Sequence, residues 1–132
     1  MLYSKLLEML LDFEFRGDLC IIRLQGRFAT GQDALYLHAQ AEELKSSGCI
    51  KILVDFSNVD YIDSTGIGFL IGIYTSVMKS PQGRFALCNT HRRVREVLEL
   101  TRLAQVINIY PSEAAALEAL NAGSKSSASQ AS

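Results

Sequence analysis

The stretch Tyr61-Ile62-Asp63-Ser64-Thr65-Gly66-Ile67-Gly68-Phe69-Leu70 places a carboxylate, two hydroxyls and two glycines where a loop is expected to become a helix. The first N–H groups of a helix have no intrahelical partner, and the macrodipole adds about half a positive charge there. We therefore expect a phosphoryl group on Ser64 to meet free donors and Asp63 to cap the same turn. Thr65 is the second choice for modification.

Enzymatic interpretations of this stretch are weak. A P-loop needs a glycine-rich turn that ends in Lys-Ser or Lys-Thr, and the sequence has no such run. An aspartic protease loop requires glycine two residues after its aspartate, where this chain has Thr65. Asp55 follows an apolar run but has no second carboxylate at a metal-binding spacing, so a capping or turn role is expected. An enzyme with Asp55 or Asp63 as nucleophile is the least favoured class, and no catalytic residue is assigned.

Composition narrows the range of partners. The 132 residues suit one domain, and a net charge of −1 offers no electrostatic footprint for nucleic acid or anionic lipid.

Cys20, Cys49 and Cys88 cannot all pair and lie in or beside apolar runs, so we expect reduced core thiols and a cytoplasmic protein. No run reaches the length of a membrane span and no signal peptide is recognised. His38 and His91 lack cysteines at ligand spacing, so neither a metal site nor a cofactor is expected.

Hydrophobic periodicity predicts alternating strands and helices. Segments 12–16 and 19–25 flank the turn signal Gly17-Asp18 and predict a hairpin. The later elements are expected as follows: a helix over 32–47, a buried strand over 50–56, a helix from Ser64 to about Lys79, a strand over 85–88, a helix capped by Asn89 or Thr90 and ending at Leu100, a strand over 106–110, and a helix capped by Ser112 that reaches about Leu120.

This order predicts an α/β domain with a mixed, mostly parallel sheet of about five strands, an antiparallel N-terminal hairpin and about four helices. The domain is expected to span residues 12–120. Residues 1–11 form an N-terminal extension with helical spacing, expected to dock on its own domain or on a partner. Residues 121–132 lack apolar bulk and are expected to be a disordered tail.

The helix after Asp63 is expected to contact a partner. A helical projection from Ser64 predicts a core-facing stripe of apolar residues, namely Ile67, Leu70, Ile71, Tyr74 and Met78. Gly68 and Gly72 lie beside that stripe, either to let the helix pack closely on its sheet or to leave a flat surface for another protein. Phe69 and Ile73 project away from the predicted stripe, which slightly favours a partner that covers them. The alternative is that neighbouring segments, such as the short N-terminal one, bury them.

The segments 54–68 and 91–103 resemble the STAS domain proteins, specifically the bacterial anti-sigma factor antagonists, and the likeness spans about 12–120. The resemblance implies that Ser64 is phosphorylated by an anti-sigma factor that is also a serine kinase. It also implies that the phosphorylated form cannot bind until a metal-dependent serine phosphatase acts. Asp63 and Gly66 would support the phosphosite, and the protein would be a switch rather than a catalyst.

One loop departs from the family pattern. The family often has two carboxylates after the hairpin, in a loop that contacts the kinase, whereas this chain reads Gly26-Arg27-Phe28-Ala29. Arg27 and Ala29 are therefore expected at the partner-binding surface with altered charge. The alternative is a constitutive STAS scaffold subunit of a transport or signalling assembly, in which Ser64 is not phosphorylated. The oligomeric state is not determined by the sequence.

Overall fold

The computed structural model describes residues 11–28 and 34–122. Five strands and four α-helices alternate in this part of the chain, together with one short 3-10 turn at Leu103–Gln105. Their bounds are β1 Leu11–Arg16, β2 Leu19–Phe28, α1 Ala34–Lys45, β3 Lys51–Ile62, α2 Ser64–Val77, β4 Arg84–Cys88, α3 Arg92–Leu100, β5 Asn108–Tyr110 and α4 Glu113–Ala122.

The strands form one sheet in the order β1-β2-β3-β4-β5. β1 and β2 pair antiparallel across a turn in which Gly17 adopts a positive φ of 63°, a conformation that favours glycine. The other neighbouring pairs are parallel. The predicted α/β fold, with its mixed sheet and N-terminal hairpin, is confirmed.

Apolar side chains cover both faces of the sheet. The larger buried cluster combines the sheet with residues of α1, α2 and α3, among them Leu44, Leu70 and Leu98. The smaller cluster places Ala116 and Leu120 of α4 against the opposite face. Among the described residues, three helices therefore lie on one side of the sheet and one on the other. The segments that follow β3 and β4 lie at the carboxyl edge of the strands.

Strand β3 is longer than its predicted range of 50–56. It continues to Ile62 and pairs with the end of β2 through two register shifts, between Arg23 and Gln25 and between Gly26 and Arg27. A bulge adds an unpaired residue and breaks the two-residue alternation. Phe56, Val59 and Ile62 are consequently all buried although they are three residues apart, which is why period-two reasoning missed this part of the strand.

Other element ends also differ from the predictions. Helix α3 is preceded by His91 and not capped by Asn89 or Thr90, because Asn89 adopts a left-handed backbone and its amide binds elsewhere. The strand predicted over 106–110 is shortened because Leu103–Gln105 forms the 3-10 turn. The predicted cap of the last helix is confirmed, since the hydroxyl of Ser112 accepts from the N–H of Ala115 at 3.1 Å.

Several sequence predictions concern residues outside the described ranges. The N-terminal extension lies there except for Leu11, which begins β1, and so does the tail from Gly123 onward. Helix α1 is described from Ala34, so the predicted start at Gln32 falls outside as well. Across 11–28 and 34–122, no helix has the length and apolar character needed to cross a bilayer.

Thiol reactivity should separate the three cysteines. Cys20 and Cys88 are buried, and burial raises the pKa of each to about 12, while Cys49 is half-buried. Because the thiolate is the reactive species, an aromatic disulfide reagent at pH 8 is expected to label Cys49 first. The other two should react only on unfolding. A time course with and without denaturant measures this, and equal rates for all three thiols in the folded protein would contradict the placement of Cys20 and Cys88.

Candidate functional site

Helix α2 begins where the sequence predicted. Asp63 has an extended backbone, and its Oδ1 accepts hydrogen bonds from the N–H groups of Thr65 at 3.0 Å and Gly66 at 3.3 Å. Its carbonyl accepts the first intrahelical bond, from Ile67 at 2.9 Å. Asp63 is thus the N-cap of α2, an interaction that contributes about 1 kcal/mol in comparable helices.

Ser64 is the first residue of α2, and its side chain is exposed to solvent. Thr65 is half-buried and Gly66 is buried, so the accessible hydroxyl at this junction is that of Ser64. The expectation that a phosphoryl group would find free donors here needs correction. The N–H groups of Thr65 and Gly66 already donate to Asp63, so a phosphate on Ser64 would add negative charge beside an existing carboxylate.

One side of α2 faces solvent and carries no charge. The exposed residues Ser64, Gly68, Ile71, Thr75 and Met78 recur at intervals of three or four, and half-buried Gly72 lies among them. We call these six residues the glycine face. A side-chain carbon built on Gly68 or Gly72 would meet no described atom within 4 Å. The glycines are therefore not needed for close packing on the sheet, which leaves the alternative of a flat outward surface.

The predicted core stripe of α2 is wrong in part. Phe69 and Ile73 are only 7% and 1% exposed, whereas Ile71 and Met78 are 42% and 44% exposed. The helical projection considered only the sheet, but α1 also packs against α2 and widens the buried arc on one side. Phe69 and Ile73 belong to the core and cannot form a partner surface in this fold. Ile71 was predicted to face the core but is exposed on the glycine face.

The loop that departs from the family pattern is described only in part. Arg27 lies in β2, where its backbone pairs with Tyr61 next to the end of β3. This register places the end of β2 beside the segment that leads to Ser64. Ala29 lies outside the described residues, so the prediction that Arg27 and Ala29 contact a partner stays a prediction.

Asp55 is buried and forms the centre of a partly buried polar network that the sequence did not predict as such. Its carboxylate accepts from Arg23 at 3.0 Å, from the N–H and hydroxyl of Ser57 at 3.0 and 3.2 Å, and from the amide of Asn89 at 3.0 Å. Arg23 also pairs with Glu113 at 2.7 Å and with Glu14 at 2.8 Å. The capping or turn role expected for Asp55 is wrong, because Asp55 lies inside β3 and its bonds to Ser57 join two residues of the same strand. The sequence also did not predict the ion pair between Asp55 and Arg23.

This network excludes Asp55 as a ready nucleophile. Its side chain is 7% exposed and both oxygens are engaged. Burial raises the pKa of Asp55, but hydrogen bonds from Asn89, Ser57 and Arg23 outweigh that effect, and the net shift is downward. Within the described ranges no group of three or more His, Cys, Asp or Glu side chains is arranged to hold a metal ion. The network joins β1, β2, β3 and α4 at the carboxyl edge of the sheet.

A basic cluster lies at the start of α3, and its members His91, Arg92, Arg93 and Arg95 are all exposed to solvent. Two of its arginines form exposed pairs along the helix, Arg92 with Glu96 at 3.4 Å and Arg95 with Glu99 at 3.6 Å. Such pairs contribute only a few tenths of a kcal/mol. The ring Nε2 of His91 lies 2.8 Å from the carbonyl oxygen of Ser57 and ties the start of α3 to the Asp55 network.

Comparisons with known proteins point to one family. Residues 11–116 match the model of the STAS domain. The chain is 24% identical over 110 residues to the anti-sigma F factor antagonist of Paenibacillus polymyxa, an alignment that covers 83% of this chain and 93% of that protein. It also resembles the crystal structure of a candidate anti-sigma factor antagonist from Thermotoga maritima, with 27% identity, a TM-score of 0.76 and coverage of 87% and 97% of the two chains.

A third relative has been solved in two states. The anti-sigma factor antagonist SpoIIAA in its unphosphorylated form has a TM-score of 0.72 and 19% identity, with 85% of this chain and 96% of that chain covered. SpoIIAA of Bacillus in its phosphorylated form has a TM-score of 0.64 and 21% identity, with 82% and 96% covered. At these identities the likeness is one of fold.

Removing a glycine from the exposed face should stabilise the isolated protein. Gly68→Ala adds a methyl group that meets no described atom and improves helix propensity, so we expect the free energy of unfolding to rise by up to about 1 kcal/mol. Urea denaturation followed by circular dichroism measures the change. Gly83→Ala is the matched control, because its added carbon would collide with the backbone of Val77 and should destabilise. A destabilised Gly68→Ala variant would show that the glycine is needed for folding.

Acid should weaken the Asp55 network. Since the folded-state pKa of Asp55 is lowered, its stabilising contribution is present above the unfolded value of about 4 and is lost as the pH falls through the folded value. We expect Asp55→Asn to lower the free energy of unfolding at pH 7 by about 1 to 3 kcal/mol, with the difference from the parent shrinking below about pH 4. Chemical denaturation from pH 7 to pH 2 tests this. Glu14→Gln, at the exposed end of the network, should have a smaller effect, and a pH-independent difference for Asp55→Asn would contradict the assignment.

Proposed function

The chain belongs to the STAS domain family, and we propose that it is an anti-sigma factor antagonist whose unphosphorylated form binds its partner and whose binding is switched off by phosphorylation of Ser64. The observation that carries the proposal is the exposed hydroxyl of Ser64 at the first residue of α2, at the head of the uncharged glycine face. The relatives named as anti-sigma factor antagonists support the general role.

The proposed partner is an anti-sigma factor that is itself a serine kinase. Such a partner must bring its catalytic site to the Ser64 hydroxyl, and the glycine face supports this because small side chains let another backbone approach closely. The exposed carbons of Ile71 and Met78 offer apolar surface next to the glycines. Binding and phosphorylation would then use the same surface, so the unmodified protein is both ligand and substrate.

Electrostatics supplies the switch. A phosphoserine carries about −1.5 to −2 charge at pH 7, and here it would lie beside the Asp63 carboxylate. The N–H groups of Thr65 and Gly66 already donate to that carboxylate, so they are not free to bind the phosphate. A surface that was neutral would become strongly anionic at one end. Tenfold weaker binding requires only about 1.4 kcal/mol, so exclusion of a closely fitted partner needs no refolding. A metal-dependent serine phosphatase is the proposed reset.

In this proposal, the protein has no catalytic activity of its own and acts in the cytoplasm. Asp55 and Asp63, the two carboxylates considered as nucleophiles, hold strands and a helix start in place. A constitutive scaffold subunit is the competing function, and it shares the fold. The two functions differ in one respect: only the switch requires Ser64 to be modified.

The switch is tested with the full chain and its phosphorylation state. Protein recovered from its source cells is expected to include a form heavier by one phosphoryl group, with the phosphate mapped to Ser64 and absent from Ser64→Ala. Thr65→Ala should retain the modification. Ser64→Ala should capture the anti-sigma factor from lysate, whereas Ser64→Asp should bind it about tenfold or more weakly. Equal capture by Ser64→Ala and Ser64→Asp, with no phosphate on the parent, would support the scaffold instead.

The glycine face is tested with a pair of charge substitutions. Gly68→Glu should fold, because the added side chain points into open space. When it is combined with Ser64→Ala, the variant should no longer capture the partner that Ser64→Ala alone captures. Gln82→Glu adds the same charge at an exposed position in the turn before β4 and should bind normally. Loss of binding by both variants would indicate a general charge effect and remove the glycine face as the contact.

A further inference from the structure

Strand β1 has one apolar side and one charged side. Its residues alternate between the two faces of the sheet, so Leu11, Phe13 and Phe15 share the face on which α1, α2 and α3 lie. Glu14 points to the opposite face, where its carboxylate binds Arg23 at 2.8 Å. The apolar side of β1 therefore continues the larger buried cluster toward the edge of the sheet.

This apolar side becomes more exposed along the strand. Leu11 is buried, Phe13 is half-buried, and Phe15 is 52% exposed. The rings of Phe13 and Phe15 meet edge to face with their centroids 6.0 Å apart, so the exposed ring extends an apolar surface that begins in the core. β1 is also an edge strand of the described sheet. The three helices on this face thus leave the last part of β1 uncovered.

The chain outside the described ranges contains one segment suited to cover this surface. Residues 29–33 and 123–132 have no apolar side chain larger than that of alanine, whereas residues 1–10 include four leucines, two methionines and a tyrosine. This third segment joins β1 directly at Leu11. A segment attached without a linker has a high effective concentration at the neighbouring surface, which favours it over any partner that must diffuse there.

The apolar residues of this segment fall on one side of a helical projection. At about 100° per residue, an arc of about 160° contains every large apolar residue after Met1. These residues are Leu2, Tyr3, Leu6, Leu7, Met9 and Leu10. The opposite side carries Ser4, Lys5 and Glu8, so it is polar and has no net charge. Because an isolated helix of this length is not stable in water, its apolar arc requires a surface on which to pack.

We propose that residues 2–10 form a helix that folds back along β1 and packs its apolar side on Phe13 and Phe15. This helix is the fourth on that face of the sheet and extends the larger cluster over the edge strand. The residues before β1 then belong to the domain and are not a separate extension. The glycine face lies on α2, so this docking does not depend on the proposed phosphorylation switch.

The dimensions of the two elements match. A helix over residues 2–9 is about 12 Å long, and the path along β1 from Leu11 to Phe15 is about 14 Å. A helix that reverses direction just before Leu11 therefore places its first turn over Phe15. Side chains four residues apart on a helix, such as Leu2 and Leu6, are about 6 Å apart. This spacing equals that of the two phenylalanine rings on β1.

Trypsin cleavage after Lys5 in the full chain tests the docking. A packed helix must open before a protease can cut it, so we expect cleavage about tenfold or more slower than in a synthetic peptide of residues 1–10. Mass spectrometry follows the loss of residues 1–5. Phe15→Ser removes the ring under the first turn, and Leu2→Ser removes a side chain that faces it. Each should raise the cleavage rate about fivefold or more, and the double variant should add little because both changes break one contact.

Two control variants and one change of concentration make the result specific. Leu100→Ser removes an apolar side chain that is 82% exposed at the end of α3, and Glu8→Gln changes the polar side of the helix, so neither should alter the cleavage rate. Leu2→Ser lies outside the strands and keeps the test decisive if Phe15→Ser does not fold. The parent rate should be equal at low and high micromolar protein concentration, because the contact lies within one chain.

Three results would overturn the proposal. The first is a parent chain cleaved after Lys5 as fast as the peptide. The second is a folded Phe15→Ser chain that stays as protected as the parent, which would place the segment on another surface. The third is protection that increases with protein concentration, which would show that the segment packs on a second copy of the chain.

Discussion

The site depends on the bond between the Asp63 carboxylate and the N–H groups of Thr65 and Gly66. This cap fixes the residue at which α2 begins and makes Ser64 its first residue. A start one residue later would rotate every following side chain by about 100° relative to the cap. Ser64 would then no longer head the line of Gly68, Ile71 and the rest of the glycine face. The cap therefore determines which hydroxyl is presented and on which surface.

The cap is held in place by the strand before it. β3 reaches Ile62 because its second half pairs with the end of β2 after two register shifts, and Val59 and Ile62 are buried in the process. The first shift lies beside Asp55, which is bound at once to Arg23 of β2, to Ser57 of β3 and to Asn89 after β4. A buried carboxylate with this many donors is costly to leave unpaired. We infer that the Asp55 network fixes the path of β3 toward α2.

Local signals in the sequence were enough for most of the fold. The Gly17-Asp18 turn, the apolar run before Asp55, the cap at Asp63 and the cap at Ser112 each involve residues a few positions apart, and the structure confirms them. The misses came from contacts between distant segments. Arg23 meets Asp55 and Glu113 across 32 and 90 residues, a distance over which no spacing rule applies.

The same reason explains the errors on α2. A helical projection gives the angles between residues but not the number of neighbours around the helix, and α1 buries the side that carries Phe69 and Ile73. The bulge in β3 likewise broke an alternation that the sequence analysis relied on. As a result, Phe69 and Ile73 leave the candidate surface and Ile71 joins it, while Gly68 and Gly72 stay on it.

The proposed phosphorylation of Ser64 would take place at a helix start that is already held by the hydrogen bonds of Asp63. Because Asp63 already satisfies the helix start, an added phosphate has no strong reason to reorganise α2 and acts mainly through its own charge and size. The six residues of the glycine face carry no charge, so in the proposed switch a phosphate on Ser64 would change this face from uncharged to anionic at the end beside Asp63. A face already rich in carboxylates would change proportionally less. The uncharged surface, as much as the hydroxyl, makes Ser64 a suitable position for control.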